Sequence, residues 1–342
     1  MNRRTVIIVG VIIALALVAI FLSRPSNNKR QSNKSPMDKI VAAPKVSSQI
    51  PNAPEKISLD NLASRTLPKV FPSYIVSVPI LLALNEEQIQ QIANAFSFSP
   101  AEGSKTIYGN SKVYTYENSS GRVLSVTDDP PAVDFSELPG ESGSKTPPTL
   151  EKAKTLSSNL VNAIQPRLPS GWEIKVVGSV YLKGGGSSAS EVRTAEEAGL
   201  TNVSLGYFYK GYAVLNSQGK LIFFNFIFGP GGSVVSAKAQ FLLNNLDLVA
   251  GPPIEVPTKN LEEVVAAFFN GEPRAIFMGL ANTISDEPIT NPPTAVTASD
   301  LQAVLVLMDN NLLPYYLISS SGKFPSGRQG EVLYLVPAAK NK

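Results

Sequence analysis

Neither cysteine nor histidine occurs in the 342 residues of this chain. Without a thiol there is no disulfide, no thiolate nucleophile, no zinc knuckle and no iron–sulfur centre. Without imidazole there is no Ser–His–Asp or Cys–His machinery within the chain. Zinc would have to be held by carboxylates alone, which is rare in closed structural sites. The calcium loop pattern DxDxDG and the phosphate loop GxxxxGK[ST] are both missing. No cofactor, no metal and no enzymatic activity are expected.

A basic surface is missing too. Residues 1–45 hold eight Lys or Arg and one acid, which leaves 22 basic and 26 acidic residues, a net of −4, in 46–342. No basic stripe remains to neutralise phosphates, so nucleic acid is not an expected partner.

What is present is a long apolar run near the start. After the tail 1–4 come 18 uncharged residues, Thr5 to Leu22. As a helix they would reach about 27 Å, close to the hydrocarbon thickness of a bilayer. Ile20-Phe21-Leu22-Ser23-Arg24-Pro25 makes a poor signal-peptidase site, so 5–22 is expected to be an uncleaved transmembrane anchor with the lipid bilayer as partner. Counting basic residues alone puts the body in the cytoplasm. The very short tail and a body free of Cys and His and rich in Ser, Asn, Pro and Gly argue the other way. The expectation is a single-pass membrane protein with an extracytoplasmic body, at the cell surface or in a periplasm.

Residues 23–57 are polar and aperiodic and read as a disordered stalk. The expected fold class beyond it is α+β, with antiparallel sheets and helices packed on one face in repeated units. The units are 58–135, 150–250 and 251–342, with 136–149 as a linker; the third could be fused with the second. Asn85 is placed to cap a helix whose face is Ile89, Ile92, Ala93 and Phe96. Leu150, Ala153, Leu156, Leu160 and Ile164 share a face of a second helix. VVSAKAQFLLNNL and LEEVVAAFFNG read as further helices, and ASDLQAVLVLMDN as strand or helix.

Three polar turns recur, at Ser119-Ser120-Gly121, Asn216-Ser-Gln-Gly-Lys220 and Ser320-Ser-Gly-Lys323. Glycine supplies the positive φ of a reversal and Asn or Ser bonds to nearby backbone, so each is expected to be a hairpin turn. Ser320 and Lys323 have SxxK spacing, but that chemistry needs the serine at a helix start. Carboxylate pairs remain open, from Asp128, Asp129, Asp134, Glu137, Asp286 and Glu287. Aromatics offer a contact surface: in GYFYKGY, Tyr207 and Tyr209 share a strand face that, with Phe224, could meet solvent.

GYAVLNSQGKLIFFNF (211–226), LQAVLVLMDNNLLPYYLISSSG (301–322) and EVLYLVPA (331–338) resemble the PepSY-like domains of membrane-anchored regulators of the YycH and YycI type. The resemblance implies one N-terminal span, an extracytoplasmic body, no catalysis, and binding to other membrane proteins, notably the sensor kinase controlling cell-wall homeostasis. No site residue carries over. The expected function is that of a membrane-anchored binding or regulatory protein whose partner is another membrane or envelope protein. The alternatives are an extracytoplasmic hydrolase using a carboxylate pair and an envelope glycan-binding module.

Overall fold

A computed structural model describes residues 54, 56–62, 66–76, 82–137, 146–184, 190–245, 250–270, 274–280, 293–324, 327 and 329–340. Contacts divide the chain into Met1–Ile40 and Val41–Lys342, and every described residue belongs to the second unit. The expected anchor 5–22 lies outside the described residues, as do the tail 1–4 and most of the stalk. Among the described residues no helix is long and apolar enough to cross a membrane.

Strands β1 (Lys56–Ser58) and β2 (Val70–Ile75) come first. Helix α1 (Glu86–Ala95) is followed by β3 (Gly103–Tyr108), β4 (Ser111–Glu117), β5 (Arg122–Thr127) and β6 (Ala132–Glu137). Helix α2 (Leu150–Ile164) is followed by β7 (Trp172–Lys183), β8 (Ser190–Val192), β9 (Leu200–Tyr209), β10 (Tyr212–Leu215), β11 (Phe224–Phe228) and β12 (Val234–Gln240). After β13 (Ile254–Pro257), helix α3 (Leu261–Phe269) leads to β14 (Arg274–Leu280), β15 (Ala295–Met308), β16 (Asn311–Lys323) and β17 (Gln329–Pro337).

The expected α+β class is corrected by this inventory. The described residues are mostly strand, in one large mixed sheet, with three α-helices laid on it. The long buried runs that gave helical readings are largely strands. VVSAKAQ is rich in helix formers, yet it forms β12, because Ala237 and Ala239 face the core while Lys238 faces out. The ambiguous 295–308 is strand throughout. Lys56 and Ile57, the end of the expected stalk, are strand as well and pair in parallel with Ala295 and Val296.

Two antiparallel meanders form the first part of the sheet. One runs β3–β4–β5–β6; the other runs β7–β9–β11–β12, with β8 beyond β7. They join last strand to last strand, β6 against β12. In the second part β15, β16 and β17 are consecutive neighbours and β14 adds beyond β17. The hairpin β9–β10 turns through Lys210 and Gly211, both at positive φ, and sets β10 parallel to β15. That hairpin makes the two parts one sheet.

Local chemistry explains the helices. Asn85 Oδ1 accepts from Gln88 N at 2.8 Å while Gln88 Oε1 accepts from Asn85 N at 3.0 Å, a reciprocal cap on α1. Ile89, Ile92 and Ala93 are buried beneath it, followed by Phe96. In α2, Ala153, Ser157, Val161 and Ile164 are buried, and Leu156 and Leu160 pack at the margin. Gln91 Nε2 donates to Ala163 O at 2.8 Å and ties the two helices together. Both cover one face of the meanders, over Leu124, Phe135, Val203 and Phe226. Helix α3 places Val264, Ala267 and Phe268 over Tyr316, Ile318 and Tyr334.

Candidate functional site

Two of the three expected turns share one geometry. Asn118 Oδ1 accepts from Ser120 N at 3.1 Å and Arg122 N at 3.3 Å. Asn216 Oδ1 accepts from Gln218 N at 3.0 Å and Lys220 N at 2.8 Å. Gly121 at φ 80° and Gly219 at φ 81° complete each reversal. The asparagine side chains are spent on the backbone, so this motif is architecture. The third expected turn is corrected: Ser320–Lys323 is the interior and end of β16, and the chain reverses after Phe324.

The serine–lysine pair fails for the same reason. Residues three apart on a strand face opposite sides. Ser320 is buried and donates to Val332 O at 2.8 Å, whereas Lys323 is exposed. The acidic candidates also have structural partners. Asp128 is buried, accepts from Lys112 N at 2.6 Å and lies 3.9 Å from Lys112 Nζ. Glu137 lies 3.5 Å from Arg122 Nε. Asp129 is exposed in the turn before β6. Asp286 and Glu287 lie outside the described residues. Among the described residues no group of three Asp or Glu is placed to hold a metal ion.

The expected aromatic surface is core. Tyr207, Tyr209 and Phe224 are 0%, 3% and 0% exposed. Tyr207 lies 5.5 Å from Phe224 and 5.2 Å from Phe223, and Tyr209 lies 5.1 Å from Trp172, between ring centroids. The alternation along β9 was legible; which of its faces the helices cover was not. Phe208 holds the outer face, with Lys175 Nζ 5.4 Å from its ring centre. Beneath α2, Tyr207 OH donates to Gln165 Oε1 at 2.7 Å, and Gln165 Nε2 donates to Leu243 O at 2.7 Å. Burial pushes the Tyr207 phenol far above its ordinary value.

The meanders' other face carries a row that the sequence reading did not assemble. Thr115, Ser125, Asp134, Lys238, Asn225 and Ser204 are successive cross-strand partners from β4 to β9. At the spacing of neighbouring strands the row is about 24 Å long. A second row beside it holds Val123, Ser136, Ser236, Ile227 and Asn202. Burial raises the Asp134 carboxyl above the usual range, and Lys238 opposite partly offsets this. Burial lowers the Lys220 ammonium, helped by Lys238, while its Nζ donates to Gln240 Oε1 at 2.6 Å. The Oδ1 atoms of Asn202 and Asn225 are shielded from solvent and have no hydrogen-bond partner. The available signal was local: Asn225 interrupts FFNFIF, and Ser, Asp and Lys alternate with apolar residues along β6 and β12.

No protein-family model matches the chain, and no curated protein matches it significantly.

Proposed function

We propose that this protein is a non-catalytic binding or regulatory protein, tethered to a membrane through its apolar run 5–22, with its body outside the cytoplasm. It acts by contact with another membrane or envelope protein, and the contact surface is the polar sheet face around Asn202 and Asn225. One observation carries this reading: on the face away from the helices, strand register sets Thr115, Ser125, Asp134, Lys238, Asn225 and Ser204 side by side across six strands. Polar side chains set in such a row offer a partner protein several hydrogen-bond donors and acceptors at once. The placement of Ser, Thr, Asn and one opposite-charge pair on this face suits a hydrogen-bonding protein surface better than a lipid. The weak resemblance to membrane-anchored regulators supports the same reading.

The test uses the full chain solubilised from membranes. Ser136→Arg and Asn225→Ala both alter the face without touching the helix-covered core. Both should reduce capture of a specific membrane protein, Ser136→Arg at unchanged melting temperature and Asn225→Ala at a melting temperature no lower than the parent's, because it removes a buried acceptor that lacks a partner. Undiminished capture by both variants, each folded, would place the contact elsewhere.

A further inference from the structure

Among the described residues, strand β3 is a sheet edge. Of the described strands it pairs with β4 alone, and all six of its residues, Gly103–Tyr108, are exposed. Ile107 is 66% exposed and Tyr108 40%, so this edge carries apolar side chains as well as unpaired backbone. Edge strands are usually blunted by proline, bulges or charged side chains, lysine above all, because an open edge templates further pairing. Here Lys105 is the only charge in the strand, and it leans 5.3 Å from the Tyr114 ring centre and 3.7 Å from Glu86. The strand is regular in its pairing from Gly103↔Tyr116 to Tyr108↔Ser111.

We infer that β3 pairs antiparallel with β3 of a second copy of this chain, about a two-fold axis at Thr106. A two-fold axis perpendicular to a sheet keeps each side chain on its own face, so it must pass through a residue position. Three registers are then close to hand. Centring on Lys105 sets Lys105 against its own mate, a like-charge pair that destabilises a sheet. Centring on Ile107 runs the pairing into Gly109, which at φ 60° has already left the strand. Centring on Thr106 pairs residues 104–108, sets Ile107 opposite Lys105 of the second copy, and sets Tyr108 opposite Ser104. The lysine stem then covers Ile107 while its ammonium stays in water.

So short an edge buries less than the ~1,200 Å² of a standard interface, which makes the pairing weak in dilute solution. Tethering to one membrane raises the effective concentration and lets a weak pair form. That step rests on the anchor proposed above; the pairing itself is independent of the polar face, and Ser136→Arg should leave it unchanged.

The absence of cysteine makes the test clean. Single cysteines at 105, 106 and 107 are placed in the full chain, in its native membrane, and mildly oxidised. Thr106→Cys should give about tenfold more disulfide-linked homodimer than Lys105→Cys or Ile107→Cys alone, because only at the axis do identical residues fall within the ~7 Å Cα limit for a disulfide. Co-expressed Lys105→Cys and Ile107→Cys chains should cross-link to each other. Equal yields at all three positions, or absence of dimer from both Thr106→Cys and the mixed pair, would overturn the inference. So would a Thr106→Cys adduct with a different protein, which would make β3 a docking edge for a foreign strand.

Discussion

Replacing Tyr207 by Phe tests whether the aromatic cluster is core or contact surface. The substitution keeps the ring and its packing against Phe223, Phe224 and Trp172, and removes one hydroxyl. That hydroxyl donates to Gln165 Oε1 at 2.7 Å, and Gln165 cannot rotate to compensate because its amide nitrogen is committed to Leu243 O. Gln165 is itself buried, so its oxygen would be orphaned away from water. The expected loss is about 1–3 kcal/mol. For a body of this size that corresponds to a fall in melting temperature of roughly 2–4 °C per kcal/mol. Urea titration should show a lower midpoint at unchanged slope.

A second readout follows from the raised phenol. A tyrosine whose folded pKa lies above its free value of 10.0 stabilises the fold fully below that pH. The contribution is lost as pH rises from there towards the folded value. Tyr207→Phe should therefore flatten the alkaline limb of the stability profile. Partner capture at temperatures below melting should be unchanged. An unaltered urea midpoint combined with lost capture would refute the buried Tyr207–Gln165 link and return Tyr207 to the surface.

Asp134→Asn should stabilise the protein at pH 7. The native carboxyl is raised by burial, so the fold favours its protonated form. That preference is satisfied below the free value of 3.8 and lost as pH rises through the folded value. The advantage of the amide should therefore vanish in acid, and urea midpoints at pH 3 and pH 7 would show it; equal differences at both would contradict the assignment. Ser320→Ala should cost about 0.5–1.5 kcal/mol through the lost bond to Val332 O. Lys323→Ala should change stability by less than about 0.5 kcal/mol. Because the two side chains lie on opposite faces of β16, the double variant should be additive; a coupling energy beyond about 0.5 kcal/mol would sink that geometry.

Local chemistry was readable where it acted within one turn of chain. Helix α2 was expected over residues 150–164 and is found there, because its apolar face repeats every three to four residues and Thr149 caps it. Asn85 announced α1 in the same way. Misreadings arose where burial is set by a distant strand. Ala-Lys-Ala-Gln in β12 looks helical until β6 and β11 flank it. The turn Asp309-Asn310, with φ of 44° and 64°, joins β15 to β16, while the more obvious Ser-Ser-Gly-Lys lies in strand. Asp and Asn tolerate that left-handed backbone, so the signal existed but was weaker than the glycine nearby. The polar face was invisible for a related reason. Its residues come from β4, β5, β6, β12, β11 and β9, and only strand register brings them into one row.

The centre of that row explains how the two meanders find each other. Each follows a helix, and their last strands pair over 132–136 and 236–240 with Asp134 opposite Lys238 at the midpoint. A β6 edge offered to another β6 in this register would set carboxylate against carboxylate, and a β12 edge offered to another β12 would set ammonium against ammonium. Like charges directly opposite destabilise a strand pair, so the junction favours one β6 with one β12 and discourages symmetric pairing between copies. Edge β3 has no such guard in its Thr106-centred register. The chain thus closes one pair of edges by charge and leaves another open. The Asp134–Lys238 pair is accounted for by the junction alone, so the contact reading of the face rests on the neutral Ser, Thr and Asn side chains that flank it.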